Sequence, residues 1–233
     1  MGSDLDRLRE EYADRARRLA RDDPYSAFNR AYLFGAQQRQ RATLEFLARQ
    51  GITRLDGLRI LELGCGSGRV LHELLGFGAD PGRLHGTDLL PDYLAVAHRR
   101  LPHLPLTCAD GQHLPYPDRA FDLVLQLTVF SSVLDPAIRR NIAAEMRRVL
   151  RPDGLILWYD FWLNPTNRQT RGLRPAEIRG LFPGCAFTFR RVTLAPPIGR
   201  VLAPRAWLVA WLLEQARIFN THYLVAIRPL APG

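Results

Sequence analysis

"ILELGCGSGRVL", residues 60–71, decides how the chain is read. An apolar run ends in glycines and then turns amphipathic, the pattern of a buried strand, a tight turn and a helix start. Gly64, Gly66 and Gly68 are spaced G-x-G-x-G. A dinucleotide fingerprint places its third glycine at position 69, where this chain has Arg69. No G-K-S or G-K-T follows, so a Walker loop is absent. Glu62 stands at the end of the apolar run, where a carboxylate repels a pyrophosphate and attracts a cation such as an ammonium. The loop therefore fits a nucleoside cofactor without phosphates better than one with them.

Strands and helices alternate outward from this stretch. "LRILEL" reads as a first strand and 68–77 as a helix. "RLHGTDL" is a second strand, and Pro91 opens a helix to about Leu101. "PLTCAD" is a third strand. "FDLVLQLT" is a fourth, continuous enough in apolar residues to be covered on both faces. Pro136 opens a helix to Leu150, "RPDG" turns, and "LILWYDF" is a fifth strand. This order predicts an α/β fold with a doubly wound, mainly parallel sheet. Upstream, residues 3–21 read as a charged helix. One or two further helical turns and a longer helix to about Gly51 follow. Downstream, "AFTFRRVTLAP" and "HYLVAIRP" alternate like antiparallel strands. Between them lies an apolar, helix-like insert at about 197–219, broken by Pro204. The expected division is an N-terminal helical cap over 1–54 and one domain over 55–233.

Ligands of open α/β sheets lie beyond the carboxyl ends of the strands. Four loops should meet there. The glycine turn offers free helix N–H groups. Asp88 ends the second strand, where a carboxylate accepts ribose hydroxyls. Asp110 ends the third, within reach of an exocyclic amine of adenine, beside an accessible Gly111 N–H. The fourth strand brings the backbone near Gln126 to the ligand.

With these pieces in order, "ILELGCGSGRV", "GTDLLPDYLAVA", "CADGQHLPYPDRAFDLVL" and "EMRRVLRPDGLI" resemble class I S-adenosylmethionine-dependent methyltransferases of the type 11 kind, over roughly residues 55–160. The resemblance implies a seven-stranded Rossmann-like sheet of order 3-2-1-4-5-7-6, with the last strand antiparallel. It also implies that Glu62 and the Gly64–Gly68 turn, Cys65 included, hold the methionine part of S-adenosylmethionine. Asp88 then holds the ribose, with Leu89 beside the adenine. Asp110 and Gly111 read the adenine edge, and Gln126 approaches the methionine end. Many relatives carry Glu-His after the fourth strand; this chain has Ser131-Ser132 there, so no histidine base is available at that place.

The acceptor side is read from the residues around this core. Arg168, Arg171 and Arg174 follow the fifth strand and form either an anion-binding cluster or a solvated basic loop. Asp160 and Tyr159 sit at that strand's end. Asp160 serves either as a base or, as the favoured reading, as a structural carboxylate paired with one of these arginines. His222 precedes the last strand, as a base or a packed ring. Tyr25 and Tyr32 either close over the cofactor or pack. Trp207 and Trp211, in "AWLVAWLL", either meet an apolar substrate or a membrane surface or, as the favoured reading, are core material or a dimer interface through 198–217.

The chain has 233 residues and a formal net charge of +9. All 32 basic residues are arginine, and the last third holds 11 of them against four acids. That charge keeps RNA as an alternative acceptor. The missing lysine and the missing RNA-binding module favour a small-molecule or lipid-linked one, with an anionic group as one form of it. A cofactor-binding regulatory subunit without turnover is the remaining alternative. Three scattered cysteines make no C-x-x-C pair, so neither a disulfide framework nor a metal site is expected. The charged start lacks an apolar signal core and no run reaches membrane length, so the cytoplasm is the expected compartment. The methylated atom does not follow from the fold, because function lives in the added site.

Overall fold

The structure is a computed structural model that describes residues 4–19, 25–164 and 169–230. Its centre is a seven-stranded sheet of order β3-β2-β1-β4-β5-β7-β6. The strands are β1 (Ile60–Leu63), β2 (Leu84–Asp88), β3 (Leu106–Cys108), β4 (Phe121–Leu127), β5 (Leu150–Phe161), β6 (Cys185–Leu194) and β7 (Asn220–Pro229). The first five are parallel, and β7 runs antiparallel between β5 and β6. The expected order and the reversed last strand are both present.

Period-two alternation explains how the sheet is covered. Leu61, Leu63, Val124, Ile156 and Trp158 face one side, where they meet Ile142, Ala143 and Met146 of α5 (Pro136–Val149) and Ile178 of α6 (Pro175–Leu181). Their neighbours Ile60, Leu123, Leu125, Leu155 and Leu157 face the other side. There they meet Leu71 and Leu74 of α3 (Arg69–Gly76), Leu94 of α4 (Pro91–Arg100) and Ala42, Phe46 and Leu47 of α2 (Arg30–Arg49). Both faces of the inner strands are therefore dry, as the continuous apolar runs require.

The N-terminal segment is used in two ways. α1 (Asp4–Leu19) lies over the strand ends, with Leu8 buried. Its Asp4 accepts from the amides of Leu134 and Asp135, at 2.7 and 3.0 Å. Its Arg7 donates to the Ser132 carbonyl at 2.6 Å. α2 instead belongs to the layer covering the sheet. The extra helical turns expected before α2 are a turn, because Asn29 caps the helix by accepting from Ala31 and Tyr32. "RPDG", expected as a turn, is drawn into β5, where the register with β4 shifts between Phe121 and Leu123. The apolar insert is a hairpin of α7 (Pro196–Leu202) and α8 (Trp207–Ala216), broken at Pro204 as expected. It packs on Phe34 of α2 and Leu194 of β6.

Candidate functional site

The carboxyl ends of β1, β2, β3 and β4 open into one cavity of about 340 Å³. The glycine turn forms its floor. Gly64, Gly66 and Gly68 have φ of 72°, 52° and 76°, conformations that side chains resist. Left-handed residues alternating with ordinary ones in this way expose backbone N–H groups. At Gly64 an added Cβ would sit 2.4 Å from Val129 Cγ2, so glycine is also required by the approach of the loop after β4. At Gly68 it would meet Leu101 of the α4 end at 2.9 Å, which lets α3 and α4 close behind the turn.

Glu62 lines the cavity yet is only 2% exposed, and its Oε2 has no hydrogen-bond partner. Burial pushes its acidity well below that of an ordinary carboxyl, and the nearby Arg39 guanidinium opposes the shift. A buried, unpartnered carboxylate oxygen calls for a cation, and an ammonium supplies one. Asp88 also lines the cavity. Its Oδ2 accepts from the Gly66 amide at 2.7 Å and its Oδ1 from the Leu90 amide at 2.9 Å. Burial raises its pKa, and these bonds hold it down. Each oxygen keeps a lone pair for a hydroxyl. Leu89, Asp110, Gly111 and Cys65 complete the wall. Asp110 is steadied by the Gln112 amide at 2.9 Å. The Cys65 thiol is pushed up by burial next to Glu62 and Asp88, so it stays protonated. This donor set suits the ammonium, ribose and adenine of S-adenosylmethionine.

Gln126 is the exception among the expected contacts. It is fully buried, and its Oε1 accepts from the Val129 amide at 3.0 Å. It shapes the loop, and the wall itself is Leu127, Thr128 and Val129. The inward-facing side of a strand points into the fold until the chain turns, which displaces the contact past the strand's end.

A methyltransferase-domain family profile matches residues 60–154, the span that supplies Glu62, the glycine turn, Asp88 and Asp110. Over this span the chain is similar to the class I S-adenosylmethionine-dependent methyltransferases. It is 37% identical over 122 residues to phthiotriol/phenolphthiotriol dimycocerosates methyltransferase 1 of Mycobacterium ulcerans, covering 48% of this chain and 40% of that protein. It is 38% identical over 108 residues to the fatty-acid O-methyltransferase of Mycolicibacterium smegmatis, covering 46% and 38%. The chain thus spans less than half the length of these curated relatives. A TehB-like methyltransferase from Corynebacterium glutamicum shares the fold, with TM-score 0.57 and 20% identity over 95% of this chain and 98% of that one.

The structure separates the remaining candidate residues from the cavity. Asp160 is fully buried and accepts from the amides of Ser131 and Phe161, at 3.0 and 2.8 Å. Its expected arginine partner is replaced by these two N–H groups, one from the loop after β4 and one from the next residue of β5 itself. Burial raises its pKa to about 6. Tyr159 bonds Thr193 at 2.8 Å and is pushed up to about 12, chiefly by burial. His222 is buried, stacked on the Tyr159 ring at 4.8 Å and pushed down to about 3 by burial. None of the three lines the cavity. Arg171 pairs with Glu177, and Arg174 is exposed where its amide donates to Glu177 at 2.9 Å. Neither is a cavity residue, and Arg168 lies outside the described residues. Trp207 meets Phe34 edge-to-face at 5.0 Å, and Trp211 packs on the same cluster.

Several cavity residues escaped the sequence reading. Leu5, Leu8 and Tyr12 come from α1, and Arg39 from α2. Arg39 pairs with Glu73 at 2.5 Å. Arg69 stacks over Tyr25 at 4.7 Å and donates to its carbonyl. Arg39 flanks the buried stripe Phe34, Gln38, Ala42 and Phe46, and a charge beside such a stripe was its available signal.

Glu62→Gln is expected to separate binding from stability. The amide keeps the shape and removes the charge, so affinity for S-adenosylmethionine should fall about tenfold. The cofactor-free protein should gain about 1 kcal/mol, because an unpaired carboxylate no longer has to be buried. Calorimetry and urea unfolding of both proteins check the two signs. Equal losses in both would mean that Glu62 is only a structural group.

Proposed function

We propose that this methyltransferase transfers the methyl group to an apolar, lipid-linked or small acceptor that carries its own nucleophilic anion, such as a carboxylate. The observation that carries the proposal is the make-up of the cavity. Glu62, Asp88 and Asp110 supply one polar set. Leu5, Leu8, Tyr12, Val129, Val133 and Ile142 supply an apolar one. When bound, S-adenosylmethionine supplies a methyl group already activated by the sulfonium. The chain's remaining task is to hold an acceptor in line and keep water out. The glycine turn fixes the floor. α1, pinned through Asp4 and Arg7 to residues 132–135, forms a roof of apolar side chains. His222 and the buried Asp160 lie elsewhere, so an acceptor that must lose a proton at neutral pH is poorly served. An anionic acceptor needs no such base, and Arg39 and Arg69 set positive charge in the same cavity. The resemblance to enzymes named for phthiotriol dimycocerosates and fatty acid supports the lipid-like class.

The test is incubation with methyl-labelled cofactor and three pools: long-chain carboxylic acids, phenolic lipids and total RNA. Label is expected in the organic phase as an ester. Label recovered in nucleosides would replace the proposal with an RNA methyltransferase. Tight cofactor binding with no label in any pool would favour the regulatory subunit.

A further inference from the structure

Beyond the cavity, the α7–α8 hairpin has an outer face that nothing among the described residues covers. Trp207, Ala210, Trp211 and Leu213 turn inward onto Phe34 and Leu194. Leu208, Val209 and Leu212 share the opposite side of α8 and are 66%, 47% and 53% exposed. Val201 of α7 and Ile218 and Phe219 beyond α8 are 58%, 70% and 47% exposed. Six of the large apolar side chains most exposed in this protein thus fall within one stretch of 19 residues. Isolated exposed leucines need no explanation, whereas such a concentration marks a contact surface.

Charge identifies the occupant. The segment 196–219 contains Arg200, Arg205 and Arg217, all exposed and none with an ion-pair partner among the described residues. Arg205 only donates to the Val201 carbonyl, at 3.0 Å. The single acid, Glu214, is 6% exposed and accepts from the Thr193 amide inside the fold. The outer face is therefore apolar and cationic, with no outward carboxylate. Pairing with a second copy across a two-fold axis would set these arginines against one another with nothing to offset them. A surface of acyl chains under anionic head groups satisfies both features at once.

We propose that the outer face of the α7–α8 hairpin docks the protein on an anionic lipid surface. Apolar side chains enter the head-group boundary, and the three arginines meet lipid phosphates. α2 ties this face to the cavity, since Phe34 packs on Trp207 and Arg39, from the same helix, lines the cavity. Docking would thus present a fixed orientation of the cavity to the lipid. No helix among the described residues is long and apolar enough to cross a membrane, so the contact is peripheral. The proposal stands on this surface alone and does not require the acceptor to be a lipid.

The experiment is co-sedimentation of the protein with phosphatidylcholine vesicles, with and without phosphatidylglycerol. Binding is expected to the phosphatidylglycerol vesicles and to weaken with salt. Leu208→Glu with Leu212→Glu should abolish it while affinity for the demethylated cofactor stays unchanged. Arg200→Gln, Arg205→Gln and Arg217→Gln, solvent-exposed changes that leave the fold intact, should cost roughly fivefold per arginine. Equal binding to pure phosphatidylcholine, or undiminished binding by the triple arginine variant, would overturn the proposal. So would the absence of vesicle binding with a dimer that Leu208→Glu dissociates, which would assign the face to a second copy. Failure here leaves the methyl-transfer assay unaffected, so the two readings fall separately.

Discussion

Asp88→Ala is expected to weaken binding of S-adenosylmethionine and its demethylated product by roughly 10- to 150-fold, with the sheet intact. The size follows from the work done by one carboxylate. Its charge-assisted bonds to ribose hydroxyls are worth on the order of 1.5–3 kcal/mol, which converts to that range of affinity. The same oxygens accept from the Gly66 and Leu90 amides. Alanine therefore also frees the glycine turn at Gly66, and the cofactor-free protein should lose about 1–2 kcal/mol of stability. Asp88→Asn separates the two roles. It keeps the shape and one acceptor oxygen, so it should fall between wild type and alanine in affinity. Isothermal calorimetry with both nucleosides gives the ratio, and circular dichroism checks the fold. An unchanged dissociation constant in the alanine variant would show that Asp88 serves only the loop.

The parts of this site that could be read from sequence are those fixed by local geometry. A strand of apolar residues must end somewhere, and Glu62, Asp88 and Asp110 each stand at or next to such an end. The glycine spacing placed the turn, and the sheet order followed from the family resemblance once the turn was recognised. What escaped reading depends on contacts far apart in the chain. Asp4 reaches the amides of Leu134 and Asp135, and no periodicity in α1 announces that. Proximity in sequence pairs Asp160 with the arginines that follow it. In the fold the nearest donors are the Ser131 amide of the loop after β4 and the Phe161 amide of β5 itself, and the arginines turn to Glu177 and solvent. Gln126 itself stops one residue short of the cavity wall, which its neighbour Leu127 begins, because a strand and the loop beyond it look alike in an apolar run. The acceptor side is harder still, since its wall is assembled from α1 and the loop after β4 by packing rather than by motif.

His222→Phe should change how stability depends on pH more than it changes stability itself. In the fold the ring is buried between Tyr159 and Phe161, and burial holds its pKa near 3. In the unfolded chain it titrates near its ordinary value of about 6.5. The unfolded state therefore gains a proton first as the pH falls, so the stability contributed by the neutral ring is complete above about 6.5 and is lost as pH drops toward about 3. Between pH 7 and pH 5 the loss is about 2 kcal/mol, from about 1.5 pH units at 1.36 kcal/mol each. Asp160 and Glu214 act in the opposite sense, because burial raises them to about 6 and about 7. Their contributions are complete at low pH and fade as pH rises through those values, so the wild-type curve alone is flattened. The difference between wild type and variant removes them, as both proteins carry the same carboxyls. At pH 7 phenylalanine gives up the contact between Nδ1 and Thr221 at 3.2 Å and overfills the site slightly, costing about 1–2 kcal/mol. At pH 5 that gap should close, since only the wild type keeps a group that would rather be charged. Urea unfolding at the two pH values measures it. A gap that stays constant would mean that His222 takes up its proton inside the folded protein, with water or a carboxylate reaching the ring.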